Sequence, residues 1–167
     1  MKLSQLKTGD RLLSHGAGWL SRLIQWGQNS KYSHELDYVG KKSDILKVID
    51  NMISKANFYS LLYIFEAKQE ILRLRGEFVF TESDWSKRSG RTGVHFFDEI
   101  ELGKRGGYRD VFRYKKSTKG KRDSFVEFSV IQVGEMTKYD MLGLLWQTIV
   151  IGRKKFSQKE TSWRFDD

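Results

Sequence analysis

An α+β fold is the architecture this 167-residue sequence predicts: a small antiparallel sheet, partly barrel-like, packed against about three helices. Three observations predict it. Gly9 to Gly40 reads as strand, helix, strand. Two further stretches, 44–55 and 137–151, carry apolar residues at helical spacing. The remainder breaks into short apolar or alternating runs separated by Gly-rich and basic turns. Apolar content of 39%, with 14% aromatic, suffices for one core, so residues 1–167 are read as a single domain.

In chain order, Leu6 to Asp10 forms a turn into a short strand, Arg11 to Leu13. After the small-residue loop Ser14 to Gly18, Trp19 to Gln28 places Trp19, Leu20, Leu23 and Ile24 on a helix, with Gly27 and Asn29 near its stop. His34 to Val39 alternates His34, Leu36 and Tyr38 against Glu35, Asp37 and Val39, which makes a strand with two chemically different faces. The two acids place that second face against solvent or a basic partner. Ser43 is expected to cap a helix from Asp44 to about Lys55, with Ile45, Val48, Ile49, Met52 and Ile53 as its stripe.

Leu61 to Phe65 is a continuous apolar run, read as a strand buried on both faces. Ile71 to Leu74 is read as its hairpin partner, and Phe78 to Phe80 as a further short strand. Ser83 to Gly93 is a polar loop. Val94 to Leu102 and Tyr108 to Tyr114 are read as strands, Lys115 to Ser124 as a basic turn, and Phe125 to Val133 as the best late strand. Thr137 is expected to cap the last helix, to Ile151, with Gly152 just beyond it.

Composition removes several function classes. No run of 18 apolar residues exists, and the N-terminus lacks the apolar run of a signal peptide, so a cytoplasmic or virion-associated protein is expected. Cysteine is absent, so no disulfide framework forms, and three histidines without a thiol argue against a structural zinc site. Gly103 to Gly107 lacks the spacing and the Lys-Ser/Thr ending of a phosphate-binding loop. The net charge of +9 favours a negatively charged partner without specifying one.

The N-terminal third resembles the circularly permuted, YiiX-like branch of the NlpC/P60 superfamily of papain-fold hydrolases. The matching pieces are Gly9-Asp10 before a strand, the helix with Leu20, Leu23, Ile24 and Trp26, and Ser30-Lys31-Tyr32-Ser33-His34 entering a strand that closes at Val39-Gly40. Phe65-Glu66-Ala67, Ile71 to Leu74 and Lys138-Tyr139-Asp140 are similar to later family elements. The resemblance covers roughly 6–75 and 137–152, and the stretch 76–133 is not aligned to it. It implies a Cys–His hydrolase acting on amide or ester bonds, as a peptidase, amidase or acyl-ester hydrolase, with no cofactor. A neighbouring imidazole promotes the thiolate, and a third polar residue on the adjacent strand orients that imidazole. His34 matches the family histidine. Glu66 is the expected orienting residue, and Tyr32 and Ser33 are expected to line the cleft for a peptide or acyl-type ligand.

The family nucleophile, a Cys followed by Ser-Glu after an aromatic residue, has no match, because the chain has no Cys. Two explanations stay open. Ser162 to Asp167 resembles the segment that precedes the Cys motif, so that the motif would lie beyond the chain. Alternatively, Phe156-Ser157-Gln158 occupies the motif position, with Ser157 in place of Cys. Serine in a site tuned for a thiol is a poor nucleophile, because its pKa is far higher. Either way the chain is expected to be inactive alone as a thiol hydrolase.

Simpler readings compete. His34 alone would be a strand-start histidine bonded to backbone, and Glu66 a solvated acid paired with a Lys or Arg. His15 reads as exposed in its loop, and His95 alternates with Phe96-Phe97 without an evident partner. Lys115, Lys116, Lys119, Lys121 and Arg122 are candidate anion-binding residues, extended by Lys87, Arg88, Arg91, Lys104 and Arg105. Such turns are commonly just solvated, and no base-reading motif or stacking platform accompanies them. An acidic protein, an anionic membrane surface or a nucleic acid fits this charge equally. The functional alternatives to a hydrolase are a non-catalytic binding or structural component of an assembly, and a nucleic-acid-associated basic protein.

Overall fold

The computed structural model describes residues 2–15, 19–84, 93–105, 108–113 and 118–135. Within them the fold is α+β, built on a five-stranded, wholly antiparallel sheet. The strands are β1 (Arg11–Ser14), β2 (His34–Lys41), β3 (Phe78–Asp84), β4 (Gly93–Asp98) and β5 (Tyr108–Phe112), in the order β4-β3-β2-β1-β5. β4 and β5 are the two edges, so the sheet is open rather than barrel-like. Five α-helices are described, not three: α1 (Trp19–Gln28), α2 (Lys42–Lys55), α3 (Phe58–Arg73), α4 (Glu99–Arg105) and α5 (Lys119–Gly134). A 3-10 turn, Leu3–Gln5, precedes the sheet.

The alternation of β2 through β4 separates two cores. On one face Val39, Val79 and Phe96 meet Ile45 and Ile49 of α2, Ile64, Ala67 and Ile71 of α3, and Val126, Val130 and Val133 of α5. On the other face Leu12, Leu36, Tyr38, Phe80 and Phe97 pack together, with Leu3, Leu6 and Leu102 against them. The register places Leu12 opposite Leu36, Tyr38 opposite Phe80 and Phe80 opposite Phe97, so the second core crosses four strands in one line. β2 bends at a register shift between Tyr38 and Gly40. Gly40 sits there at φ +149°, and a Cβ on it would lie 3.3 Å from Thr8 Oγ1 and 3.5 Å from Ile45 Cγ1.

Several expectations are corrected. The run 61–65 is not a strand but part of α3, and 71–74 is the end of that helix and its C-cap. Asn57 caps α3, its side chain accepting from Ser60 N at 2.9 Å. Ile64, Ala67 and Ile71 face the core, leaving Leu62 and Phe65 largely exposed. Five consecutive apolar residues fit either period, and the Asn57 cap decides for the helix. Phe125–Val133 is likewise helical, with Val126, Val130 and Val133 at helical spacing. Its helix starts at Lys119, so the second half of the expected basic turn forms the first turns of α5, capped by Thr118. Val94–Leu102 divides into β4 and α4 at Asp98. α2 begins one residue before Ser43, with Lys41 at its N-cap and no side-chain cap. The expected helix at 137–151 lies outside the described residues.

Two carboxylates shape the turn into β3. Asp98 Oδ2 accepts from Arg75 N and Gly76 N, each at 2.9 Å, and Glu99 accepts from Glu77 N and Phe78 N at 2.9 and 2.8 Å. Burial alone would raise Asp98, but backbone N–H donors from Glu101, Gly76, Arg75 and Ile100 outweigh it and hold its carboxyl below the usual range. Asp10, fully buried before β1, accepts from Lys7 N at 2.7 Å and from Arg113 through a two-pronged contact at 2.7 and 2.6 Å. That pair ties the β1 entrance to the end of β5. No helix among the described residues is long and apolar enough to cross a membrane.

Candidate functional site

His34 opens β2, and its side chain falls on the same face as Leu36 and Tyr38, away from α2, α3 and α5. Its Nε2 lies 2.7 Å from Glu82 Oε2. Glu82 stands on the neighbouring strand β3, on the face of Phe80, and its side chain is fully buried while that of His34 is 36% exposed. The contact therefore joins a buried carboxylate to an imidazole that reaches the surface. With Nε2–H donated to Glu82, the ring's lone pair resides on Nδ1.

A second imidazole flanks the same carboxylate. Glu82 is paired in register with His95 of β4, whose Nε2 comes within 3.3 Å of Glu82 Oε1. The approach is close enough for an ion pair but lacks hydrogen-bond geometry. His95 Nδ1 lies 3.2 Å from the Gly93 carbonyl, and the ring packs tilted against Phe97. A carboxylate at the end of an apolar sheet face is costly unless paired; the His34 imidazole supplies a hydrogen-bonding partner, and the His95 ring flanks the other oxygen. Among the described residues no group of three or more acidic, His or Cys side chains is arranged to hold a metal ion, and here the two rings engage different oxygens of Glu82 rather than a shared centre.

The approach to β2 is anchored on the other side. Ser33 N donates to Ser14 O at 3.1 Å. The Tyr32 hydroxyl donates to Asp110 Oδ2 of β5 at 2.5 Å, and its ring meets His15 and Phe112 edge-on. That hydroxyl holds the Asp110 carboxyl below its usual range, while burial pushes Tyr32 up. Tyr32 and Ser33 thus stand at the same end of the sheet as His34, Glu82 and His95.

Glu66 is not on a strand. It belongs to α3, and the strands beside β2 are β1 and β3. The carboxylate that meets His34 from the neighbouring strand is that of Glu82. Glu82, His95 and Asp110 are the site residues that sequence reading missed. The available signal for Glu82 was its parity with Phe78 and Phe80, which puts an acid on an inward position of an alternating strand. Of the anion-binding candidates, Lys119, Lys121 and Arg122 lie in the first turns of α5, and Lys104 in α4 next to Glu101. Ser157, Lys115, Lys116, Lys87, Arg88 and Arg91 lie outside the described residues, as does the side chain of Arg105. Glu35 and Asp37 are met from within the chain, by Arg11 at 3.2 and 3.6 Å.

No family model, no curated protein and no solved structure matches the chain.

Proposed function

We propose that the domain is a permuted NlpC/P60-like fold that keeps the imidazole–carboxylate half of a papain-like hydrolase site in His34 and Glu82. The observation that carries this reading is the 2.7 Å contact between His34 Nε2 and the buried Glu82 Oε2 across adjacent strands. Glu82 fixes the ring's tautomer and orientation and stabilises the imidazolium. Nδ1 is then the atom that accepts a proton from a nucleophile or a ligand. The turn–strand–helix order before His34 supports the same reading. The 167 residues contain no Cys, so this chain alone supplies no thiolate for an acyl-enzyme. Its own activity is the binding of a peptide or acyl ligand beside His34, and the catalytic form of the site needs a nucleophile delivered to Nδ1.

Ser157→Cys tests this directly. The variant is expected to hydrolyse p-nitrophenyl acyl esters, with the activity lost on alkylation by iodoacetamide and on adding His34→Ala or Glu82→Gln. Binding of an N-acyl dipeptide to the Cys-free chain, lost in His34→Ala, supports the non-catalytic form of the site. Turnover and binding that are both indifferent to His34 and Glu82 would overturn the reading.

A further inference from the structure

The opposite end of β2 holds a second concavity, about 20 Å from His34 along an eight-residue strand. Its volume is about 750 Å³, within the range of small-ligand sites. Four separate segments bring cations to its wall: Lys7 before β1, Lys41 at the end of β2, Lys47 on α2, and Lys119 with Arg122 on the first turn of α5. Lys119 and Arg122, about one helical turn apart, belong to a chain segment that reads in sequence as a basic turn. Three carboxylates also line it, Asp44, Asp123 and Glu127. Lys47 contacts Asp44 at 3.2 Å, and Lys41 contacts Glu77 outside the concavity at 3.0 Å. The walls between the charges are apolar, with Leu6 and Val48 partly exposed over Tyr38, Val39 and Ile45.

We infer that this concavity is a binding site for a phosphomonoester carried on an apolar body. Five cations against four carboxylates, counting Glu77 on Lys41, leave the lining net positive, and the positive N-terminal end of the 16-residue α5 also favours an anion. Lys and Arg side chains brought to one concavity from different segments suit a compact phosphate head. The apolar wall suits the remainder of the ligand. Its lining carries no exposed aromatic surface for successive bases to stack on, which separates it from a single-strand binding groove. A soluble phosphorylated metabolite and a lipid head group share this chemistry.

Titration of the full chain with dodecyl phosphate, below its micelle concentration, tests the site. One molecule is expected to bind per chain. Affinity is expected to fall at least about tenfold in Lys119→Glu/Arg122→Glu, and similarly in Lys47→Glu. Lys121→Glu, with the same charge change on the same helix but outside the concavity, should leave affinity within about twofold. Neutral dodecyl maltoside should not compete. Co-sedimentation with phosphatidylcholine vesicles containing phosphatidic acid, lost in the double variant, assigns the ligand to a membrane. Binding of dodecyl phosphate without co-sedimentation assigns it to a soluble compound. Absence of binding, or an equal loss in Lys121→Glu, overturns the proposal. So does displacement by an oligonucleotide with steep salt dependence, which would make this surface a polymer contact.

Discussion

His34 Nε2 and Glu82 Oε2 meet at 2.7 Å across β2 and β3, one side chain reaching the surface and the other fully buried. A buried carboxylate facing an imidazole favours the protonated ring. Glu82→Gln is therefore expected to shift the His34 titration to lower pH, seen by NMR of the ring nuclei. The same experiment on Glu66→Gln should leave the curve in place, because Glu66 belongs to α3. An unmoved His34 curve in Glu82→Gln would show that the contact does not govern the ring in solution.

The contrast between these two glutamates shows what the sequence made legible. β1, α1 and β2 were readable with close boundaries, because each carries one clear period and a stop signal such as Asn29, which adopts a positive φ at the end of α1. His34 was readable by its place after them. Its partner was not, because partner choice depends on strand order, and strand order depended on reading 61–65. That run has no polar residue to fix its period, and it became a strand instead of the middle of α3. With α2 and α3 forming a helical pair between β2 and β3, the strand beside His34 becomes the one carrying Glu82. Phe125–Val133 failed for a different reason: polar residues interleave with it, and the exposed Phe128 interrupts its helical stripe.

The buried Asp10 and the partly buried Arg113 form a second cross-strand pair, tying the turn before β1 to the residue after β5. Removing the guanidinium leaves a fully buried carboxylate with no counter-charge shown against it, held by the Lys7 backbone N–H. Arg113→Ala is expected to cost about 3–5 kcal/mol. Arg113→Lys keeps the charge but loses the fork, and should still lower stability measurably. Urea midpoints at constant m report both; a cost under about 1 kcal/mol for Arg113→Ala would mean that the pair contributes little.

Asp37 predicts a pH dependence. Burial, reinforced by Glu35 and opposed by Arg11, pushes its carboxyl up to about 6. Its Oδ1 has no hydrogen-bond partner, and Arg11 Nε stands at 3.6 Å. The native state therefore binds the Asp37 proton more tightly than the unfolded chain does. This group's favourable contribution is fully present below about pH 4 and is lost as pH rises through about 6. Asp37→Asn removes the titration. Its stability relative to wild type is expected to rise by up to about 3 kcal/mol between pH 4 and pH 7, measured by urea unfolding at each pH. A difference that stays flat across that window would place Asp37 in water in solution.

Helix contact predicts opposite outcomes at two glycines. A Cβ on Gly134 would lie 2.0 Å from the Tyr63 carbonyl oxygen, so α5 approaches α3 by backbone contact there. Both partners are helical main chain, which yields only by moving a helix. Gly134→Ala is expected to destabilise by about 1–3 kcal/mol or more. Gly103, within α4, has nothing within 4 Å of the added atom. Gly103→Ala should be stabilising, by about 0.5–1 kcal/mol, through helix propensity and lower unfolded-state entropy. Thermal melts of the two variants beside wild type decide it. Equal effects of the same sign would show that the α3–α5 contact is looser than the geometry implies, because only a close backbone approach makes one added methyl costly and the other favourable.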